Sequence, residues 1–193
     1  MIREIWKSVF GGEPDTAPGE ARADRRLLEL VLSTPVPLQE GLAARLGPFP
    51  TTAEVFSRLF AAARQSIKIF TPYVDPTFTT LAREARAPIQ VVTTLREARM
   101  KSSPVLERFA TTRPLAVRYL HEKQARSQMF QLHAKMILAD SSLAYIGSAN
   151  MTDTSLHYNL ELGICTDDAS LIRQLHIVFD HVFDFAAKPA SQL

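Results

Sequence analysis

Residues 132–151 read LHAKMILADSSLAYIGSANM, and this stretch restricts the fold more than any other. Two apolar runs, 132–139 and 143–148, sit on either side of a short polar turn, the pattern of a β-hairpin. A hairpin buried on both faces needs only apolar residues, yet this one carries His133, Lys135, Asp140, Gly147, Ser148 and Asn150 at fixed positions. Strand periodicity of two puts His133 and Lys135 on one face. An unpaired charge in an apolar interior costs several kcal/mol, so a lysine there implies a use for it. Gly147 marks a place where backbone approaches something closely, and Ser148 and Asn150 offer neutral donors suited to anionic oxygens. A cation, an imidazole and hydroxyl and amide groups at one end of a hairpin fit a phosphate site.

The rest of the chain supplies the frame. Helical patterns are expected at 22–32, 38–47, 51–65, 77–86, 104–111 and 167–188, and strands at 66–74, 89–95, 115–120, 132–139, 143–148 and 160–165. In the helix over 51–65, Val55, Leu59 and Ala62, flanked by Phe56, Phe60 and Ala63, form the apolar face. In the last helix the stripe is Leu171, Leu175, Val178, Phe179, Val182 and Phe183. Helices alternating with strands, followed by consecutive strands, predict an α/β (α+β sandwich) fold with a mixed, largely parallel sheet flanked by helices. The division expected is an N-terminal arm and helical cap over 1–50, then a domain over 51–193.

The net charge of +2 conceals an asymmetry. Between Arg83 and Arg126 there are ten Lys or Arg against four Glu, an excess of six, which leaves the remainder at −4. Such a concentration suits a polyanionic ligand. Arg96, Arg99 and Lys101 follow an expected core strand, and Lys123 and Arg126 lie in the loop leading to His133, so these five are the candidate nucleic-acid contacts. Without interleaved aromatic residues, little base specificity is expected. The single cysteine, Cys165, reads as a small core residue, and no Cys or His spacing suggests zinc. With no signal peptide or membrane-spanning run, the expected location is cytoplasmic.

The pattern H-x-K-x4-D-x6-G-S-x-N resembles the HKD motif of the phospholipase D superfamily, and all six positions match. NLELGI (159–164) resembles the strand that follows the motif in that family and supplies Asn159 and Glu161. SIKIFTPYV (66–74) resembles its first core strand. The similarity spans roughly residues 50–185. It implies a phospholipase D-like fold and a two-histidine phosphodiester mechanism that uses no metal and no cofactor. His133 would be nucleophile and acid/base, and Lys135, Ser148 and Asn150 would bind phosphate. Glu161 would orient the imidazole, and Asp140 would play a more structural part.

That mechanism needs two motifs, and this chain has one; HEK at 121–123 has Gln128 where the aspartate should be and no G-S-x-N after it. Single-motif members of the family homodimerise, so a homodimer is expected, its two His133 residues titrating as a coupled pair. The resemblance to small endonucleases, with the local basicity, points to a nuclease acting on nucleic acid, DNA in preference to RNA. A place in a prokaryotic defence or DNA-processing system, with the N-terminal helices contacting a protein partner, is a further expectation. No integral membrane association is expected. The alternatives are a phospholipid phosphodiesterase or transferase and a non-catalytic nucleic-acid-binding scaffold.

Overall fold

A computed structural model describes residues 27–95, 102–121 and 132–186. The five candidate nucleic-acid contacts (Arg96, Arg99, Lys101, Lys123 and Arg126) and the 121–123 decoy's Glu122 and Lys123 lie outside them, as does most of the N-terminal arm.

Seven strands form one sheet: β1 (Leu28–Ser33), β2 (Ile67–Phe70), β3 (Ile89–Leu95), β4 (Leu115–His121), β5 (Lys135–Ala139), β6 (Leu143–Gly147) and β7 (Glu161–Thr166). Their order is β1-β7-β6-β5-β2-β3-β4. Six helices are described: α1 (Val36–Leu46), α2 (Thr52–Ala62), α3 (Pro76–Arg83), α4 (Ser102–Ala110), α5 (Asp153–His157) and α6 (Ala169–Phe185). The mixed sheet flanked by helices is as expected, but the weighting of strand directions is not. Only β2–β3 and β3–β4 are parallel, whereas β1–β7, β7–β6, β6–β5 and β5–β2 are antiparallel. Parallel pairs need crossover helices, here α3 and α4, whereas β5 and β6 are joined by a tight turn at 140–142 and so run antiparallel.

The helix expected over 22–32 is a strand over its described part. Leu, Glu and Arg favour helix locally, but β1 pairs with β7 from Leu28↔Thr166 to Ser33↔Glu161, and tertiary pairing overrides propensity. Sheet residues therefore begin inside the segment expected to be the N-terminal cap. The strand is tied at its start by the Leu27 amide, which donates to Asp167 Oδ1 at 2.7 Å, and along its length by an Arg58–Glu29 ion pair. Helix α1 buries no residue and ends at Gly47, whose φ of 74° suits glycine.

Helix α2 starts with a capping box: the Thr51 amide donates to Glu54 Oε2 at 2.8 Å and the Glu54 amide to Thr51 Oγ1 at 3.3 Å. These bonds hold the Glu54 carboxyl below its ordinary range. The helix lays Val55, Phe56, Leu59 and Phe60 on the sheet, whereas Ala62 is exposed. On the opposite sheet face α6 buries Ile172, Phe179 and Phe183, not the whole expected stripe: Leu171 and Val178 are exposed. Apolar residues occupy nearly two faces of this helix, so packing chooses between them. It selects the face carrying Phe179, which lies 5.0 Å from the Phe70 ring and 5.5 Å from that of Phe183.

Candidate active site

One end of the sheet gathers the carboxyl ends of β2, β3 and β4, the start of β5, the end of β6 and the start of β7. Pairings Phe70↔Met136, Lys135↔Gly147 and Gly147↔Gly163 fix that alignment. His133, Lys135, Ser148, Asn150 and Glu161 all fall at this end. The segments bearing the five basic candidates leave β3 at Leu95 and β4 at His121, also at this end.

Lys135 is buried, 7% exposed, on the α2 side of the sheet, and Nζ donates to the His133 carbonyl at 2.7 Å. Burial pushes its ammonium below the ordinary lysine range, and the Glu161 carboxylate pushes it back up. That bond ties the lysine to the backbone of the histidine two residues earlier. The His133 side chain is exposed and makes no hydrogen bond to any described residue. It is free to meet a substrate.

Glu161 is also 7% exposed. Its Oε2 accepts from the Ser148 hydroxyl and its Oε1 from Asn159 Nδ2 at 3.1 Å. Both oxygens are thus engaged, and neither reaches the His133 ring, so the implied ring-orienting role is not what the geometry displays. Ser148 differs from expectation as well. Its hydroxyl hydrogen goes to Glu161, its oxygen accepts the Leu162 amide at 3.1 Å, and its own amide donates to the Leu162 carbonyl at 2.9 Å. In this state Ser148 and Glu161 brace the β6–β7 edge beneath the site. Asn150 keeps a free group: its Oδ1 is buried with no hydrogen-bond partner among the described residues. A buried acceptor without a partner is uncommon in a folded protein.

Asp140 sits apart. It ends β5 at the opposite end from Lys135, roughly 15 Å along a five-residue strand. Its carboxylate accepts the Arg64, Gln65 and Ser66 amides at 2.8, 2.7 and 2.8 Å. Burial alone would raise the carboxyl, but the three amides outweigh it and hold it below its ordinary 3.8. The residue takes the left-handed φ of 53°, and its carbonyl pairs with His176 Nε2 at 2.8 Å. Asp140 thus anchors the α2–β2 junction to the hairpin, away from the catalytic group in which it was counted.

Two features escape sequence reading. Tyr145 is fully buried, meets the Phe56 ring edge-on at 4.8 Å, and lies over Gly147 and Gly163. A Cβ on either glycine would come within 2.3 Å of the tyrosine side chain, so both positions require glycine for lack of space. Burial, with the Glu161 charge, pushes the phenol up to about 12 against the opposing pull of the nearby Ala149 backbone amide. The paired glycines were the available signal. Second, the loop after β2 supports the backbone beyond Asn150. Thr71 Oγ1 accepts the Met151 amide at 3.3 Å, the Asp75 amide donates to the Met151 carbonyl at 3.1 Å, and Asp75 Oδ2 accepts the Asp153 amide at 2.8 Å.

His157 and His176 are peripheral. His157, at the end of α5, is exposed beside Asp153 at 3.8 Å, and His176 belongs to the Asp140 brace. Cys165 is buried, and burial pushes its thiol up despite the nearby Arg58. No cluster of metal-ligating side chains and no helix long and apolar enough to cross a membrane occurs among the described residues.

A mixed sheet with a His-x-Lys strand start and a Gly-Ser-x-Asn strand end defines a phospholipase D-like site. Residues 56–183 match the family described as "Cardiolipin synthase, PLD-like domain", so the chain belongs to the phospholipase D superfamily, whose members are phosphodiesterases. It is 28% identical over 157 residues to the probable cardiolipin synthase YwiE of Bacillus subtilis (strain 168), covering 77% of this chain and 31% of that protein. The chain thus spans about a third of that relative's length. Among solved structures it resembles Nuc, a phospholipase D family member from Salmonella typhimurium, with TM-score 0.63 and 16% identity over 85% of this chain and 98% of that one. NucT from Helicobacter pylori gives TM-score 0.62 and 15% identity, covering 84% and 99%.

Proposed function

We propose that this protein is a metal-independent phosphodiesterase that hydrolyses nucleic acid, DNA in preference to RNA, at a site completed by a second copy of the chain. The observation that carries the reading is the half-site. One exposed histidine, one buried lysine and one asparagine stand at a single sheet end, in a fold that covers 98–99% of the Nuc and NucT chains it resembles. The His133 imidazole would attack phosphorus while the imidazolium of the second copy protonates the leaving oxygen. Water, deprotonated by that second imidazole, would then hydrolyse the phosphohistidine. Lys135 and Asn150 of both copies would hold the phosphoryl oxygens as charge develops on them.

The homodimer has a surface to use. Leu30, Ile164 and Ile146 are in register across β1, β7 and β6, and with Leu162 they form an apolar patch that α6 leaves open, 36–55% exposed. Leu162 is the backbone partner of Ser148, so the patch reaches the same end of the sheet as the site, on the face opposite Lys135.

The family description and the YwiE match favour a second reading, a phospholipid-directed phosphodiesterase or transferase. Cleavage assays on single- and double-stranded DNA and RNA in EDTA, comparing wild type with His133→Ala, separate the two. Cleavage of DNA by wild type and none by the variant supports the nuclease. Turnover of phospholipid with no nucleic acid cleaved supports the alternative, and activity abolished by EDTA overturns the metal-free mechanism.

A further inference from the structure

Helices α3 and α4 lie side by side on the α2 face of the sheet and enclose a cavity of about 680 Å³ between them. Its floor is apolar, with Val105 and Phe109, and Thr79 and Thr80 stand along its wall. Three arginines, Arg83, Arg108 and Arg113, converge on it, and Arg113 also lines a smaller adjoining cavity with Arg86. Arg113 is anchored by Nη1 donating to the Ala85 carbonyl at 2.7 Å. The guanidinium groups of Arg83 and Arg108 are exposed and have no ion-pair partner among the described residues. The neighbouring carboxylates, Glu84 and Glu107, are not part of the lining. Arginines gathered around one cavity without a carboxylate repel one another, and an anion relieves that repulsion.

The position of the cavity says which anion. Its upper end is Pro76, next to Asp75, whose amide and carboxylate hold Met151 and Asp153 just after Asn150. From Pro76 to Arg83 the helix descends about 10 Å, the length of about three stacked nucleotides. We propose that the α3–α4 groove is an exosite for the phosphodiester backbone of the nucleic-acid substrate. It holds phosphates a strand length (about six nucleotides of stacked chain) from the bond being cleaved, and Arg83 and Arg108 are their principal contacts. The proposal rests on the nuclease reading and adds to it a substrate path along this face of the molecule.

The test uses the full chain with Arg83→Glu and Arg108→Glu together. Binding of a labelled 20-nucleotide single strand is measured by anisotropy across a salt series in a His133→Ala background. Hydrolysis of that strand and of bis(p-nitrophenyl) phosphate is measured with His133 present. The expected result is at least about a tenfold loss of 20-mer affinity and a log K against log salt slope shallower by about 1.4. KM for the strand rises, hydrolysis of the small diester is unchanged because it is too short to reach the groove, and Arg83→Lys with Arg108→Lys retains most of the affinity. Unchanged affinity and slope, in a protein that still binds and cleaves DNA, overturns the exosite alone. Loss of binding to phosphatidylglycerol vesicles with DNA binding intact also overturns it and assigns the groove to a lipid surface. A wild type that hydrolyses the small diester but binds no strand overturns the nuclease reading, and the exosite with it.

Discussion

The two ends of β5 are built on opposite principles. At the Asp140 end a carboxylate takes three backbone amides and its own carbonyl meets His176, so the charge there is fully engaged. At the Lys135 end an ammonium is buried on one carbonyl, and neither the His133 ring nor Asn150 Oδ1 has a hydrogen-bond partner among the described residues. One end is organised for the folded chain alone. The other is under-bonded, which costs stability and leaves groups ready for a ligand, as expected where a site is pre-organised.

Substitutions should therefore have opposite effects at the two ends. The largest effect is expected from His133→Ala, which should lower phosphodiester turnover on the order of 10⁴-fold or more while leaving the melting temperature unchanged, as single-turnover kinetics and calorimetry would show. Lys135→Met is next: activity falls by about 10²- to 10³-fold, yet the melting temperature holds or rises, because a desolvated charge is replaced by an apolar chain of similar length. A clear loss of stability in this variant would mean that the lysine serves the fold.

The Asp140 end should respond the other way. Asp140→Ala removes three charge-assisted bonds and should cost about 2–4 kcal/mol in denaturant unfolding, with turnover per folded molecule nearly intact. Asp140→Asn sharpens this through pH. Because the folded-state carboxyl lies below its ordinary 3.8, its stabilisation is present above about pH 4 and is lost as the pH falls through the folded value. The stability gap between wild type and Asp140→Asn should accordingly be widest near neutrality and shrink in acid. The smallest effect is expected from Tyr145→Phe, which keeps the packing on Phe56 and removes only a buried hydroxyl. Stability should be equal or slightly higher, and any loss of turnover only a few-fold.

The same contrast explains what the sequence makes legible. Fixed-interval polar residues in an apolar hairpin stand out because the interior does not tolerate them without cause, so His133, Lys135, Ser148 and Asn150 were locatable at one sheet end, whereas Glu161 was reached only through the family resemblance of NLELGI. Their bonding was not. That Ser148 and Glu161 are partners, and that Tyr145 lies over two glycines, depends on register between β6 and β7, which side-chain type does not encode. Edge strand β1 was hidden for a related reason: Leu-Glu-Leu-Val-Leu favours helix until β7 offers it a partner. Asp140 was visible as part of the motif, but its role emerges only from the three amides that reach it from 76, 75 and 74 residues away.

The central claim is that this chain holds half of a phosphodiesterase site. Its most direct test is specific activity in EDTA measured against protein concentration, with sedimentation mass followed on the same samples. A shared site predicts activity per chain that rises with the fraction of dimer and levels off when the mass reaches twice that of the chain. Full activity per chain from a species of monomer mass, independent of concentration, would contradict it.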